Sequence, residues 1–181
     1  MSIPALVLWF IVACVEPGAS SEAPQLTSHG PTATHTEPDE VPIDFYVCVE
    51  RTPCYGKCPV AKTAVTSDGR VQFFGVENVK LIGAHVHQVS PDSVRAMWNL
   101  LSEAKISTLK SEYSMRVTDV PSTIISGTGD GVHWQVVNRW VGDRRLVAYP
   151  EGVKIETHEL LDATAKRIEE LAQTRDLLGL E

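Results

Sequence analysis

No lysine or arginine precedes Arg51, although the chain holds 16 basic residues in all. The same opening stretch carries Glu16, Glu22, Glu37, Asp39, Glu40, Asp44 and Glu50, so its charge is of one sign. Over 181 residues the net charge is −7 and the isoelectric point about 5.4. That balance argues against a nucleic-acid partner, because phosphate contacts need a concentrated Lys/Arg surface. Also missing is any apolar run of the roughly 20 residues that span a bilayer. No G-x-S-x-G, H-E-x-x-H or phosphate-cradling glycine loop occurs, so the familiar hydrolase, zinc-protease and nucleotide sites are not drawn. The sequence therefore names no catalytic residue and no reaction.

What is present divides the chain in three. Residues 1–14, MSIPALVLWFIVAC, form a short apolar run with the length of a signal-peptide core. Its end, Ile11-Val12-Ala13-Cys14, resembles the lipobox of bacterial lipoproteins. The resemblance implies removal of residues 1–13 and lipidation of Cys14, with the bilayer as a partner; acyl chains contribute about 0.8 kcal/mol per buried methylene. Val15, where an aspartate would signal retention, implies the outer membrane of a two-membrane cell. Residues 14–41 are Pro, Ser, Thr, Ala and Glu with almost nothing to bury, and read as a disordered acidic tether. His29 and His35 within it are six apart and make a weak metal signal.

From Pro42 to Glu181 the pattern becomes periodic, and composition (43% hydrophobic, 22% charged) is that of an ordinary globular domain. IDFYVCVE (43–50) is a β-branched and aromatic run typical of a buried strand. VAKTAVTS (60–67) and RVQFFGV (70–76) alternate around Asp68-Gly69, a hairpin signal. KLIGAHVHQV (80–89) supplies a further strand, bent at Gly83. Ser90-Pro91-Asp92 then opens a helix with a capping serine, proline at the first helical position and an acid in the first turn. Val94, Met97, Trp98 and Leu101 give it one apolar face, and Ile106 and Leu109 continue the packing in a shorter turn. Asp130-Gly131 joins STIISGTG to VHWQVVNRW, a second hairpin. A last helix over about 155–177 carries Leu161, Ala165, Ile168, Leu171 and Ala172 on one stripe and ends at Gly179. Strands, helix, strands, helix predict an α+β domain: an antiparallel sheet of five or six strands covered by two main helices.

Several of these segments together are similar to a bacterial family known as domain of unknown function 6438. The matching residues are Arg51, Thr52, Pro53, Cys54, Tyr55, Gly56, Cys58 and Pro59; Asp68 and Gly69; Val79, Gly83 and His85; Ser90; and Thr118, Asp119 and Pro121. The resemblance covers about 42–175 and implies exported or lipid-anchored relatives, without an assigned reaction. The segment WVGDRRLVAYPEGV after Asp130 departs from the family pattern, and Cys48 is not part of it.

The two cysteines of RTPCYGKCPV pose the chemical question. In an oxidising compartment neighbouring thiols usually pair, and Gly56 supplies the backbone freedom that so tight a ring needs. A Cys54–Cys58 staple would contribute about 2 kcal/mol by loop entropy. The rival is copper or zinc held by Cys54, Cys58, His85 and His87, the histidines pointing to one side of their strand. C-x-x-x-C-P also resembles a segment of copper-chaperone proteins of respiratory oxidase assembly, whose thioredoxin-like βαβ frame is absent here. A redox dithiol, its thiol acidified by Lys57 or Arg51, is the third reading. Cys48 is left over as a buried small hydrophobe. Asp119, His85 and Ser122 have the residue types of a triad but nothing brings them together; Asp119 reads as a turn residue, His158 as helix surface, and Arg144-Arg145 as a solvated loop. The functional expectation is an exported cell-envelope module that binds a protein or a small ligand, with metal handling or thiol redox as the alternative.

Overall fold

Tyr46, Val47, Cys48 and Val49 are all buried, and such a run without alternation belongs at the centre of a sheet. The computed structural model, which describes residues 40–114, 119–139 and 155–180, places it there. In chain order the elements are β1 (Tyr46–Arg51), β2 (Val60–Thr66), β3 (Arg70–Glu77), β4 (Gly83–Gln88), α1 (Pro91–Glu103), a 3-10 turn (Ile106–Thr108), β5 (Glu112–Ser114), β6 (Ser122–Gly129), β7 (Val132–Arg139), α2 (Ile155–Leu171) and α3 (Arg175–Leu178). One seven-stranded sheet runs β4-β3-β2-β1-β6-β7-β5. Every pairing is antiparallel except β5 with β7. The α+β expectation holds, and the strand count rises from five or six to seven. Residues 1–39, including Cys14 and nearly all of the tether, lie outside the described residues, as do Thr118, Trp140 and Arg144-Arg145.

The two Asp-Gly pairs make different turns. Gly69 (φ +81°) follows Asp68 in a three-residue loop closed by the Gly69 N–H on Thr66 O at 2.9 Å. Asp130 (φ +52°) and Gly131 (φ +70°) are both left-handed, the two-residue hairpin turn whose twist matches the flanking strands. Here the Asp44 carboxylate accepts the N–H groups of Asp130 (3.1 Å) and Gly131 (2.8 Å). Ser90 caps α1 as the sequence predicts, its hydroxyl accepting the Ser93 N–H at 3.2 Å.

Helices cover one sheet face. The strands present Val47, Val49, Val65, Val71, Ile125 and Val136, against which α1 lays Val94, Met97 and Leu101 and α2 lays Leu161, Ala165, Ile168 and Ala172. Each such large aliphatic side chain contributes about 1.5–3 kcal/mol on full burial. A smaller cluster joins Ala61, Phe73 and Leu178. It is held by the Lys80 and Leu81 N–H groups, both on Leu177 O (3.0 and 3.2 Å). The long C-terminal helix expected from the sequence is broken: Gln173 takes φ +56° after α2, and α3 begins at Arg175. No described helix is long and apolar enough to cross a membrane.

Candidate functional site

Where β1 ends, the chain leaves the sheet at Thr52 and re-enters at Val60. The Thr52 N–H donates to Ser122 O (3.0 Å) and the Ser122 N–H returns to Thr52 Oγ1 (2.8 Å). Three residues on, the Tyr55 N–H donates to Asp119 O at 3.1 Å, and on the far side Asn78 Nδ2 donates to Cys58 O at 3.1 Å. Inside this frame Cys54 and Cys58 form a disulfide with Cα atoms 5.7 Å apart. Gly56 sits at φ +142°, a backbone region that penalises any side chain even though a Cβ there would meet nothing closer than 3.9 Å. The loop is a clamped knuckle, and its crown is aromatic: Tyr55 is 92% exposed.

Arg51 explains what lies beneath. Period-two alternation puts it in phase with Val47 and Val49, on the side of the sheet that faces α2. Its guanidinium donates through Nε and Nη2 to both oxygens of Glu169 (2.6 and 2.8 Å), a carboxylate that is 1% exposed, and Arg175 Nη1 stands 3.7 Å from the same group. Burial works against the Arg51 charge, but the hydrogen bonds and charge of Glu169, with Asp162 behind, leave its pKa above the ordinary value. Between knuckle and helix opens a cleft of about 170 Å³, bordered by Thr52, Pro59, Pro121, Ser122 and Asp162 beside Arg51.

The histidines go elsewhere. His85 and His87 lie on the edge strand β4, with β3 and β2 between them and β1, each strand adding about 4.8 Å. His85 Nε2 donates to Ile82 O (3.1 Å), its ring tilted against Phe73, and His87 Nε2 donates to Ala172 O (2.8 Å). Neither joins the sulfurs, which are spent on each other, and no described group of three His, Cys, Asp or Glu side chains has metal-holding geometry. Nor does His85 reach Ser122 or Asp119; Asp119 instead holds a left-handed backbone (φ +65°) that aims its carbonyl at Tyr55. Cys48 is buried as expected, yet it is not left over, since none of the described cysteines is a free thiol.

Residues 46–165 match the family model described as Domain of unknown function (DUF6438). The chain belongs to that family. No curated protein matches it. The DUF6438 stretch takes in the knuckle, its 119–122 buttress, both β4 histidines and the start of α2, and it stops short of Glu169. Two more residues, one inside the matched DUF6438 stretch and one beyond it, are buried where the sequence reading does not place them. His158, expected on the surface, is 2% exposed. The stripe of Leu161 and Ala165 extends back one turn to it, and its Nδ1–H donates to Asn138 Oδ1 (2.6 Å) while Asn138 Nδ2 donates to His158 O (3.1 Å). Glu169, beside Ile168 and four residues after Ala165, was legible as a stripe neighbour; its pairing with Arg51, 118 residues away, was not.

Proposed function

We propose that this protein is an exported module of the cell envelope that binds a protein partner through the Cys54–Cys58 knuckle. Residues 14–41 precede the domain, which begins at Pro42 and presents the knuckle at its surface. The observation that carries the reading is Tyr55: a large aromatic 92% exposed on backbone held by a disulfide and by hydrogen bonds to Asp119, Ser122 and Asn78. An aromatic anchor on a loop that is already ordered loses little entropy on docking, which is how rigid hot-spot residues gain affinity. The cleft beside it, with Arg51 and Asp162, can take a polar side chain from the partner.

The test is site-specific photocrosslinking of the full chain in a cell that exports it, with a photoreactive aromatic at Tyr55 or, as control, at exposed Asp92 on α1. A discrete adduct at 55, absent at 92 and lost when both Cys54 and Cys58 are changed to serine, is expected. Equal adducts at both positions, or none, would overturn the knuckle as the contact surface. Export is tested separately by the mass of the mature protein: loss of the N-terminal apolar segment supports it, and a chain that keeps Met1 overturns it.

A further inference from the structure

At the other end of β6 from the knuckle, two indoles lie over glycines. A Cβ built on Gly129 would come 2.5 Å from the Trp98 ring, and one on Gly127 would come 2.8 Å from the Trp134 ring. Only glycine lets both rings settle on that strand. Trp98 is braced edge-on by Phe45, with centroids 5.7 Å apart at 75°. Together with Leu101 and Ile106 the indoles line an open-mouthed cavity of about 150 Å³, the size that elsewhere admits a benzene ring. Val132, 48% exposed, stands at its edge, and Ser102 and Ser107 add hydroxyls.

Charge at the cavity is of one sign. Among the described residues Asp130 is the sole charged one in the lining; Lys105, on the nearby link between α1 and the 3-10 turn, does not line it. Asp130 also borders a wider depression of about 470 Å³ that includes Glu40 and Asp68 and, among the described residues, no lysine or arginine. The turn that carries Asp130 is pinned by Asp44 through two backbone N–H groups, so the carboxylate is presented from an ordered backbone.

We propose that this cavity binds a small organic cation, an alkylated ammonium group seated against Trp98 and Trp134 with Asp130 at its mouth. Indole faces attract such cations through the ring quadrupole, and the preference grows where water is displaced. A neutral aromatic or aliphatic ligand would fill the same volume without using the carboxylate, and an anion would meet Asp130 head on.

The experiment titrates the full chain with choline and with its uncharged isostere 3,3-dimethyl-1-butanol, following the indole N–H resonances of Trp98 and Trp134 by NMR. Saturable shifts confined to these two indoles are expected, with the isostere at least about tenfold weaker. Asp130→Asn keeps the turn, since asparagine favours the left-handed backbone, and should weaken choline about three- to tenfold with no change for the isostere. Ser107→Lys, at an exposed rim position, should act in the same direction. No saturation with choline, equal affinity for the isostere, or wild-type affinity in Asp130→Asn would each overturn the assignment.

Discussion

Glu169 is the residue whose environment is least forgiving. Its carboxylate is 1% exposed and takes both Nε and Nη2 of Arg51, with Arg175 farther off at 3.7 Å. Removing one partner of a buried pair leaves a charge without compensation, which costs about 3–5 kcal/mol. Arg51→Met should therefore lower the urea midpoint sharply, and Arg51→Met with Glu169→Leu should recover most of the loss. If the double variant is no more stable than the single one, the pair is not the cause. His158 gives a pH signature. Burial holds its pKa below the ordinary value near 6.5. The unfolded chain then binds the proton more readily than the fold, so the stability from this site is complete above about pH 6.5 and falls as pH drops through the depressed folded value. Unfolding midpoints at pH 7.5 and 5.5 should differ less in His158→Gln than in the parent. Both residues sit on or beside an apolar stripe visible in the sequence. Their partners, Arg51 and Asn138, are set by register across the sheet, which no local pattern records.

Among the elements, those whose hydrophobic period matched their geometry were legible almost to their ends. β2, β3, α1, β6 and β7 coincide with the alternating or helical segments read from sequence, and both Asp-Gly turns fall where expected. What escaped was short or interrupted. β5 is three residues with no alternation to read, and it joins the sheet as a parallel partner of β7. The break between α2 and α3 falls at Gln173, just past the stripe's last member Ala172, where Thr174, Arg175 and Asp176 interrupt the apolar period that the sequence reading extends into one helix. β6 offers a clean test of close packing. At Gly127 an added Cβ would lie 2.3 Å from Tyr46 O and 2.8 Å from the Trp134 ring, and overpacking of this kind typically costs about 1–3 kcal/mol. Gly131, at φ +70° with nothing within 4 Å of its would-be Cβ, meets only the left-handed penalty of about 1–2 kcal/mol. Thermal melts should show Gly127→Ala with disturbed near-UV aromatic CD and Gly131→Ala with that spectrum unchanged.

At the scale of the molecule, the staple and the fold are separable. The disulfide closes a loop that hydrogen bonds already hold at Asp119, Ser122 and the Asn78 side chain, so Cys54→Ser with Cys58→Ser should lose about 2 kcal/mol and leave the sheet intact by far-UV CD. Its presence can be read directly, because Lys57 lies inside the ring. Trypsin should release residues 52–57 and 58–62 as one linked mass that separates on reduction. Two alkylated peptides without reductant, accompanied by stoichiometric zinc or copper, would reverse the assignment.

The position of β1 has a mechanical consequence. Residues 40–45 lead into the start of the strand and the knuckle leaves from its other end, and β1 is the one element hydrogen-bonded to β2 on one side and β6 on the other. Force applied to the chain before β1 and at Tyr55 therefore runs along a single six-residue strand. The strand is already extended, so its covalent backbone carries that load and the ladders on either side do not. In an optical trap, pulling between residues 40 and 55 should give almost no unfolding extension, whereas pulling between residues 40 and 180 should peel the helices away. Along that axis the fold is a short, stiff link.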